Sequence, residues 1–256
     1  MCEVINVFLP MRAGSERIPN KNTKSFAGIN GGLCILKLEQ LLQSKRIKNI
    51  IVSTDDPNVI DICKGFVSEK ITILRRPDEL ASSATSTDEL IKYVTNIMPT
   101  GHILWTHVTS PFIDAHVYDN IAKAYFENIG THDSLMTVTR LAKFIWDDLG
   151  PINYDHDCEK WPRTQTIKPL WEVNSGAFIA HKDTYKTHMD RVGSKPYMFE
   201  LNEEIAFDID WQTEFQIAEA IFKSKNIQNS QRVASSVRYK YPYTQCLGEN
   251  DRLREL

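Results

Sequence analysis

The chain has 256 residues, with 30 Lys and Arg against 33 Asp and Glu, a net charge of -3 and 42% hydrophobic content. These values describe an ordinary globular chain that can bury one large core, and they argue against disorder and against a nucleic-acid binder that works through a basic face. No run of 18 apolar residues without a charge occurs, so no membrane-spanning helix is expected and the protein reads as soluble.

The first residues place Glu3 where a secretory signal needs cations, and their apolar stretch stops at Pro10, so no signal peptide is expected. Short β-branched runs over 4–9 and 48–54, each followed by turn residues and a helical pattern, read as buried parallel strands. The alternation continues with strands over 71–74, 103–106 and 134–139. Helices are predicted over 34–43, 57–64, 87–97, 115–127 and 211–224, with Asp56–Pro57 and Thr87 as start signals. Strands that alternate with helices imply an α/β fold with a mostly parallel, Rossmann-like sheet. From 139 to 200 the alternation falters and Trp, Pro, Asp and Lys accumulate, so about 140–200 reads as an inserted lid or dimerisation segment. One main domain is expected over 1–228, followed by a tail over 229–256 whose role the sequence does not disclose. Five cysteines, Cys2, Cys34, Cys63, Cys158 and Cys246, are widely spaced and never form C-x-x-C. They fit thiols in a reducing cytoplasm and no zinc site, with Cys34 and Cys63 in helix cores.

Two segments carry candidate chemistry. The first strand opens into a loop from Pro10 to Lys24 holding Arg12, Arg17, Lys21 and Lys24 against the single acid Glu16. Gly14 and Ser15 permit a tight turn there, at the carboxyl end of a strand, where open α/β sheets bind ligands. The loop matches neither G-x-x-x-x-G-K-[ST] nor G-x-G-x-x-G, and its cations and backbone N–H groups suit a triphosphate better than a dinucleotide. A solvated basic loop is the plain alternative. The second segment is Phe207-Asp208-Ile209-Asp210, whose i, i+2 carboxylates would point the same way in an extended chain. Paired hard oxygen ligands suit Mg²⁺ that also holds substrate phosphates. The plain alternative there is Asp210 capping a helix that begins at Trp211.

Six blocks, taken in order, resemble the acylneuraminate cytidylyltransferase family, the CMP-sialic acid synthetases. They are Met11 to Asn22, Val52-Ser53-Thr54-Asp55, Arg76 to Ala81, Thr109-Ser110-Pro111, Asn174-Ser175-Gly176-Ala177 and Phe207 to Asp210. The resemblance implies a nucleotide-diphosphosugar-transferase-like α/β fold, a homodimer, Mg²⁺ dependence, and transfer of CMP from CTP to a small sugar acid with release of pyrophosphate. It implies catalytic roles for Arg12, Lys21, Asp208 and Asp210, with Arg12 and Lys21 on the triphosphate and the two aspartates on Mg²⁺. Leu9, Met11, Ala13, Gly14 and Ser15 would lie along the nucleotide, with Ala81 and Ser82 near its cytosine or ribose. His107, Thr109, Ser110, Asn174 and Ser175 would face the acceptor.

Two departures concern the acceptor. His107-Val108-Thr109-Ser110-Pro111-Phe112-Ile113 stands where the family usually reads Gln-Pro-Thr-Ser-Pro-Leu-Arg, and Glu172 to Ala177 stands where it reads Arg-Pro-Asn-Gly-Ala. An imidazole offers one bond at each nitrogen where an amide offers two of each kind. Either Asn174 or Ser175 could take the acceptor position. Arg140, Lys143, Arg163 and Lys168, interleaved with Trp146, Trp161 and Trp171, suit a sugar ring with a carboxylate, with a dimer-interface or lid core as the plainer alternative. The expected acceptor is a 2-keto sugar acid such as sialic, legionaminic or pseudaminic acid. A phosphorylated small acceptor giving a CDP-linked product is the alternative. A glycosyltransferase of similar fold and a silent nucleotide-binding subunit fit less well.

Overall fold

The structure is a computed structural model, and it describes residues 3–229. The tail from residue 230, with Cys246, lies outside the described residues, as does Cys2. Strands β1 (Ile5–Pro10), β2 (Ile47–Thr54), β3 (Ile71–Arg75) and β4 (His102–Trp105) are joined by helices α1 (Gly32–Gln43), α2 (Pro57–Gly65) and α3 (Thr87–Ile97). Helix α4 (Ala115–Asn128) leads to β5 (Ser134–Leu141), and a small hairpin of β6 (Trp146–Asp147) and β7 (Gly150–Pro151) precedes β8 (Leu170–His181). Helix α5 (Lys182–His188), β9 (Pro196–Glu200) and α6 (Gln212–Asn229) complete the order. The seven-stranded sheet has the order β3-β2-β1-β4-β8-β5-β9, in which only β8 runs against the others. It is the expected α/β fold with a mostly parallel sheet.

Period-2 alternation divides the core into two layers. Ile5, Val7 and Leu9 of β1 face α1, α2, α4 and α6, while Phe8 faces α3 and α5. Leu104 and Ile179 join the first layer, and Trp105 and Phe178 the second. Helix starts follow local capping. Asp56 accepts from the Asn58 N–H at 2.9 Å with Pro57 in the first turn. The start of α3 is capped one residue earlier than Thr87: Ser86 and Glu89 form a reciprocal capping box. Ser86 takes that position because only there does Glu89 stand three residues on.

Within the segment 140–200, residues 142–169 leave the sheet and carry the β6–β7 hairpin, whereas β8 returns to its interior between β4 and β5. The sequence does not announce β8, because Leu170-Trp171-Glu172-Val173 does not alternate cleanly and the Asn174-Ser175-Gly176 step interrupts the pattern. At that step Ser175 adopts a left-handed φ of 57° and the β5–β8 register shifts. Gly176 is required by close approach: a Cβ there would stand 2.6 Å from the Ile113 side chain.

A buried cation joins the layers on the α1 side. Lys37 is fully buried, and its ammonium donates to Ser110 O at 2.8 Å, Ile113 O at 3.2 Å and Tyr118 Oη at 2.9 Å. Thr106 Oγ1 donates to Gly176 O at 2.7 Å, so the 2.8 Å contact between Tyr118 and Thr106 has the tyrosine as donor. Hydrogen bonds therefore run in one direction from α1 through α4 and β4 to β8.

Burial lowers the Lys37 pKa from its ordinary 10.5 to about 7, the nearby carboxylates of Asp114 and Asp208 opposing the shift. The unfolded chain then holds more protons than the folded one between those two values, so this residue makes stability rise with pH across that window. We expect Lys37→Met to lessen the gain in unfolding free energy between pH 7 and pH 9, measured by urea titration. Lys37→Ala should cost about 3 kcal/mol at pH 7, because it strands buried acceptors.

Candidate active site

Chain direction reverses its progress across the sheet at β1: β2 and β3 add on one side and β4 on the other. Such a switch point opens a crevice at the carboxyl ends of β1 and β4. The loop over 11–31 leaves β1 there and is pinned on both sides. Toward β2, Met11 N donates to Ser53 O at 2.9 Å and Ala13 N to Asp55 Oδ1 at 2.9 Å. Asn22 Nδ2 donates to Arg12 O at 3.0 Å. Toward the carboxyl-terminal part of the chain, Lys21 Nζ reaches Ile209 O at 2.7 Å, and Ala27 N reaches Glu219 Oε1 at 2.6 Å. Phe26 packs edge-on against Phe215 and Phe222. Gly14 takes a φ of 68°, a turn that disfavours any side chain.

Asp208 and Asp210 lie on the connection between β9 and α6, on either side of Ile209, which is fully buried. Ile209 N donates to Thr109 O at 2.9 Å, which ties this connection to the loop after β4. Asp210 faces Arg17 Nη1 at 3.2 Å and Lys21 Nζ at 3.7 Å. The N–H groups of Asp210 and Trp211 are taken by Glu214 Oε2 at 2.7 and 2.8 Å, so Glu214 serves the helix start and the Asp210 carboxylate turns to the cations. Burial raises the Asp208 pKa, with the neighbouring Asp210 charge adding to it and a Thr109 hydrogen bond opposing it. The Lys21 pKa is lowered by burial, and the two aspartates oppose that shift.

Among the described residues no group of three or more His, Cys, Asp or Glu side chains could hold a metal ion by itself. Two carboxylates are nonetheless enough for a cation that also binds substrate phosphates. The Asp208 Oδ1 atom is buried without a hydrogen-bond partner, which fits a metal-facing oxygen.

A cleft of about 400 Å³ opens beside this pair, lined by Thr139 and Leu141 of β5, residues 172–175 of β8, and Asp208, Asp210 and Glu214. Asn174 and Ser175 thus share a wall with the aspartates. The Asn174 side chain is itself engaged, donating to Thr139 Oγ1 at 3.0 Å and accepting from Thr137 Oγ1 at 2.6 Å. Of the four cations expected around a sugar carboxylate, Lys143 lines the cleft and pairs with Glu203 at 3.0 Å, whereas Arg140, Arg163 and Lys168 do not line it. Trp146 and Trp161 join Phe144, Tyr154 and His156 in an exposed aromatic cluster outside the sheet.

The remaining expected residues take the following positions. The Leu9 and Met11 side chains are in the core, which leaves only their backbone for a ligand. Ser110 is buried at 1% exposure beneath Lys37, so it shapes the loop from inside. Ala81 and Ser82 stand on the turn after β3, two strands from β1. Arg12 donates to Gly14 O at 3.3 Å within its own loop. Sequence reasoning missed Lys37, whose only signal is a lone cation inside the apolar run of α1. It also missed the roles of Arg17 and Trp211, which stack at 5.0 Å. Buried Arg76, the first residue of the Arg76–Ala81 block, donates Nη2 to Ser53 O at 2.9 Å beneath the β1 loop.

A sequence model of the family described as "Cytidylyltransferase" matches residues 7–235. N-acylneuraminate cytidylyltransferases of Streptococcus agalactiae serotype V and Escherichia coli O18:K1:H7 are 26% and 28% identical over 81% and 88% of this chain. Those alignments cover 50% and 53% of the relatives, so the chain spans about half the length of these curated proteins. A 3-deoxy-manno-octulosonate cytidylyltransferase of Pseudomonas fluorescens is 27% identical over 77% of this chain and 68% of its own. The solved structure of a CMP:2-keto-3-deoxy-manno-octonic acid synthetase complexed with CTP aligns with a TM-score of 0.62 at 15% identity, over 87% of this chain and 99% of that one. A 4-diphosphocytidyl-2C-methyl-D-erythritol synthase from Anaerococcus prevotii aligns at 0.59 and 14%, over 86% and 97%. At such identities the structural likeness speaks to the fold alone.

His107 follows β4 and accepts from the Trp105 indole N–H at its Nε2, 3.1 Å away, which leaves the ring proton on Nδ1. Burial, and then Arg191, Lys21, Lys37 and Arg76, push its pKa from 6.5 to about 3. The folded state keeps this ring neutral while the unfolded chain takes up a proton below its ordinary pKa, so His107 costs stability as pH falls from 6.5 toward 3. Nitrogen-15 NMR should show an Nδ1–H tautomer that does not titrate between pH 5 and 8. A midpoint near 6.5 would contradict the buried, cation-flanked setting.

Proposed function

Because the chain belongs to the cytidylyltransferase family, we propose that it transfers CMP from CTP to a 2-keto sugar acid of the nonulosonic type, such as sialic, legionaminic or pseudaminic acid, releasing pyrophosphate. The observation that carries this reading is the meeting of the β1 loop with the Asp208–Asp210 connection through Lys21, whose partner Ile209 lies 188 positions away. Cations suited to a triphosphate and carboxylates suited to its metal are thereby held at one end of the parallel strands. The N-acylneuraminate relatives favour the sugar-acid acceptor.

In this reading the backbone of the β1 loop, with Arg12 and Lys21, holds the triphosphate. The acceptor hydroxyl oxygen attacks the α-phosphorus, a new P–O bond forms, and the bond to the β-phosphate oxygen breaks. Such transfer depends on positioning and charge neutralisation more than on a covalent nucleophile. Lys21, largely enclosed and aimed by Ile209 O, neutralises charge on the phosphates, and a carboxylate of the aspartate pair takes the hydroxyl proton. A magnesium ion held by Asp208 and Asp210 would supply Lewis-acid stabilisation of the α-phosphate and the leaving pyrophosphate. Ala81 and Ser82 border the nucleoside, while His107, Thr109, Asn174 and Ser175 border the acceptor. A homodimer in the cytoplasm completes the proposal, and the exposed Trp146, Trp161 and Trp171 support the dimer.

His107 and Ile113, which flank Thr109-Ser110-Pro111 where the family usually has Gln and Arg, favour a second reading, in which a phosphorylated acceptor gives a CDP-linked product. Against it stands the charge of the cleft, where Glu172, Glu203, Glu214, Asp208 and Asp210 outnumber Lys143. A phosphomonoester dianion is repelled there more strongly than a polyhydroxylated monoanion.

The test is pyrophosphate release from CTP and Mg²⁺ with a panel of N-acetylneuraminic, legionaminic and pseudaminic acids and sugar and amino-acid phosphates. We expect a sugar acid to give the highest kcat/KM; turnover with phosphorylated acceptors alone would overturn the sugar-acid reading. Lys21→Ala should lower kcat/KM by roughly 100-fold, the scale of one preorganised electrostatic contact. Asp210→Asn should abolish turnover with little change in Tm, as it removes a charge at nearly constant shape.

A further inference from the structure

We infer that Arg17 is a counter-ion that shields Asp210 from a divalent cation until a nucleotide arrives, and that it then transfers to the nucleotide's phosphates. The inference rests on the proposed reading of Asp208 and Asp210 as the metal-holding pair. Each carboxylate oxygen of Asp210 faces its own cation: Arg17 Nη1 stands 3.2 Å from Oδ2 and Lys21 Nζ 3.7 Å from Oδ1. Asp208 and Asp210 contribute two negative charges and Arg17 and Lys21 two positive ones, so the quartet is neutral without ligand. Glu214 faces the same connection, with one of its oxygens spent on the N–H groups of Asp210 and Trp211.

The two cations are held differently. Lys21 is only 14% exposed and anchored to Ile209 O, whereas the Arg17 side chain is 48% exposed. Arg17 rests its guanidinium on the Trp211 ring, 5.0 Å from the centroid. Arg17 is therefore seated yet free to leave, and Lys21 is not. A divalent cation arriving alone would meet both positive side chains at Asp210 and would have to displace Arg17 from Oδ2. A polyanionic triphosphate offsets that local repulsion and offers Arg17 bidentate phosphate oxygens in exchange for Asp210. Metal and nucleotide binding are thereby coupled through one side chain. Arg17 acts on the metal site as a positioning residue, through Asp210.

The experiment uses the full chain and two binding measurements that need no turnover. Mn²⁺ alone is titrated by electron paramagnetic resonance, and CTP in EDTA is titrated by calorimetry, for wild type, Arg17→Ala and Arg17→Lys. Arg17→Ala should bind Mn²⁺ about three- to tenfold more tightly than wild type and CTP without metal more weakly by a similar factor. Arg17→Lys, which keeps the charge, should stay near wild type for Mn²⁺. A residue that merely supports the loop would weaken both ligands or neither. Unchanged or weaker Mn²⁺ binding in Arg17→Ala, including no binding by either protein, overturns the inference. If wild type binds no CTP with or without Mn²⁺, the proposed function falls; if it does bind CTP and only the Mn²⁺ shift is missing, the role of Arg17 alone falls.

Discussion

A single buried ammonium sets the geometry on which the rest of the site depends. Lys37 lies wholly inside the core, so in its charged form each of its three N–H bonds must find an acceptor within the protein. It finds them at Ser110 O, Ile113 O and Tyr118 Oη, and thereby clasps the loop after β4 to α1 and α4. That loop in turn presents Thr109 O to Ile209 N and so holds the connection bearing Asp208 and Asp210. The polar chain continues through Thr106 to Gly176 and the wall of the cleft. An apolar side chain at position 37 would fill the space but leave that wall without direction, because dispersion contacts do not orient carbonyl groups.

The second organising feature is opposition of charge across the switch point. The β1 loop brings cations, and the connection before α6 brings carboxylates. They meet because Lys21 bonds to Ile209 O and because Phe26 packs on Phe215. An exposed ion pair such as Arg17 with Asp210 contributes little to stability, on the order of 0–1 kcal/mol, so its presence speaks more to ligand exchange than to folding. The buried part of the arrangement, Lys21 with Ile209 and Arg76 with Ser53, gives the loop its shape. The exposed part, Arg17 with Asp210, can be traded for a ligand.

Much of the scaffold is legible in the sequence because it rests on local rules. The runs around β1 and β2 are β-branched and bounded by turns, α2 begins at Asp56–Pro57, and the cap of α3 stands within one residue of Thr87. β8 escapes such rules: Leu170 to Val173 alternate poorly, and the strand earns its central place only through pairing with β4 and β5. The acceptor side was correspondingly hard to read. Asn174 and Ser175 sit at a register shift, where side-chain direction depends on the partner strand and not on position along the chain. Neither the tautomer of His107 nor the inward turn of Ser110 could be inferred without Trp105 and Lys37 beside them.

From the sequence alone follow the α/β class, the order of most elements, the cationic loop after the first strand and the paired aspartates beyond residue 200. Each is encoded by neighbours in the chain, through periodicity, capping and turn chemistry, and so needs no distant contact to be recognised. Tertiary structure alone decided that β8 enters the sheet antiparallel, that Lys37 is buried and clasps the β4 loop, and that Arg17 rests on Trp211 against Asp210. These depend on groups far apart in the chain, whose meeting is fixed by the closure of the sheet and by the need of every buried polar group to find a partner.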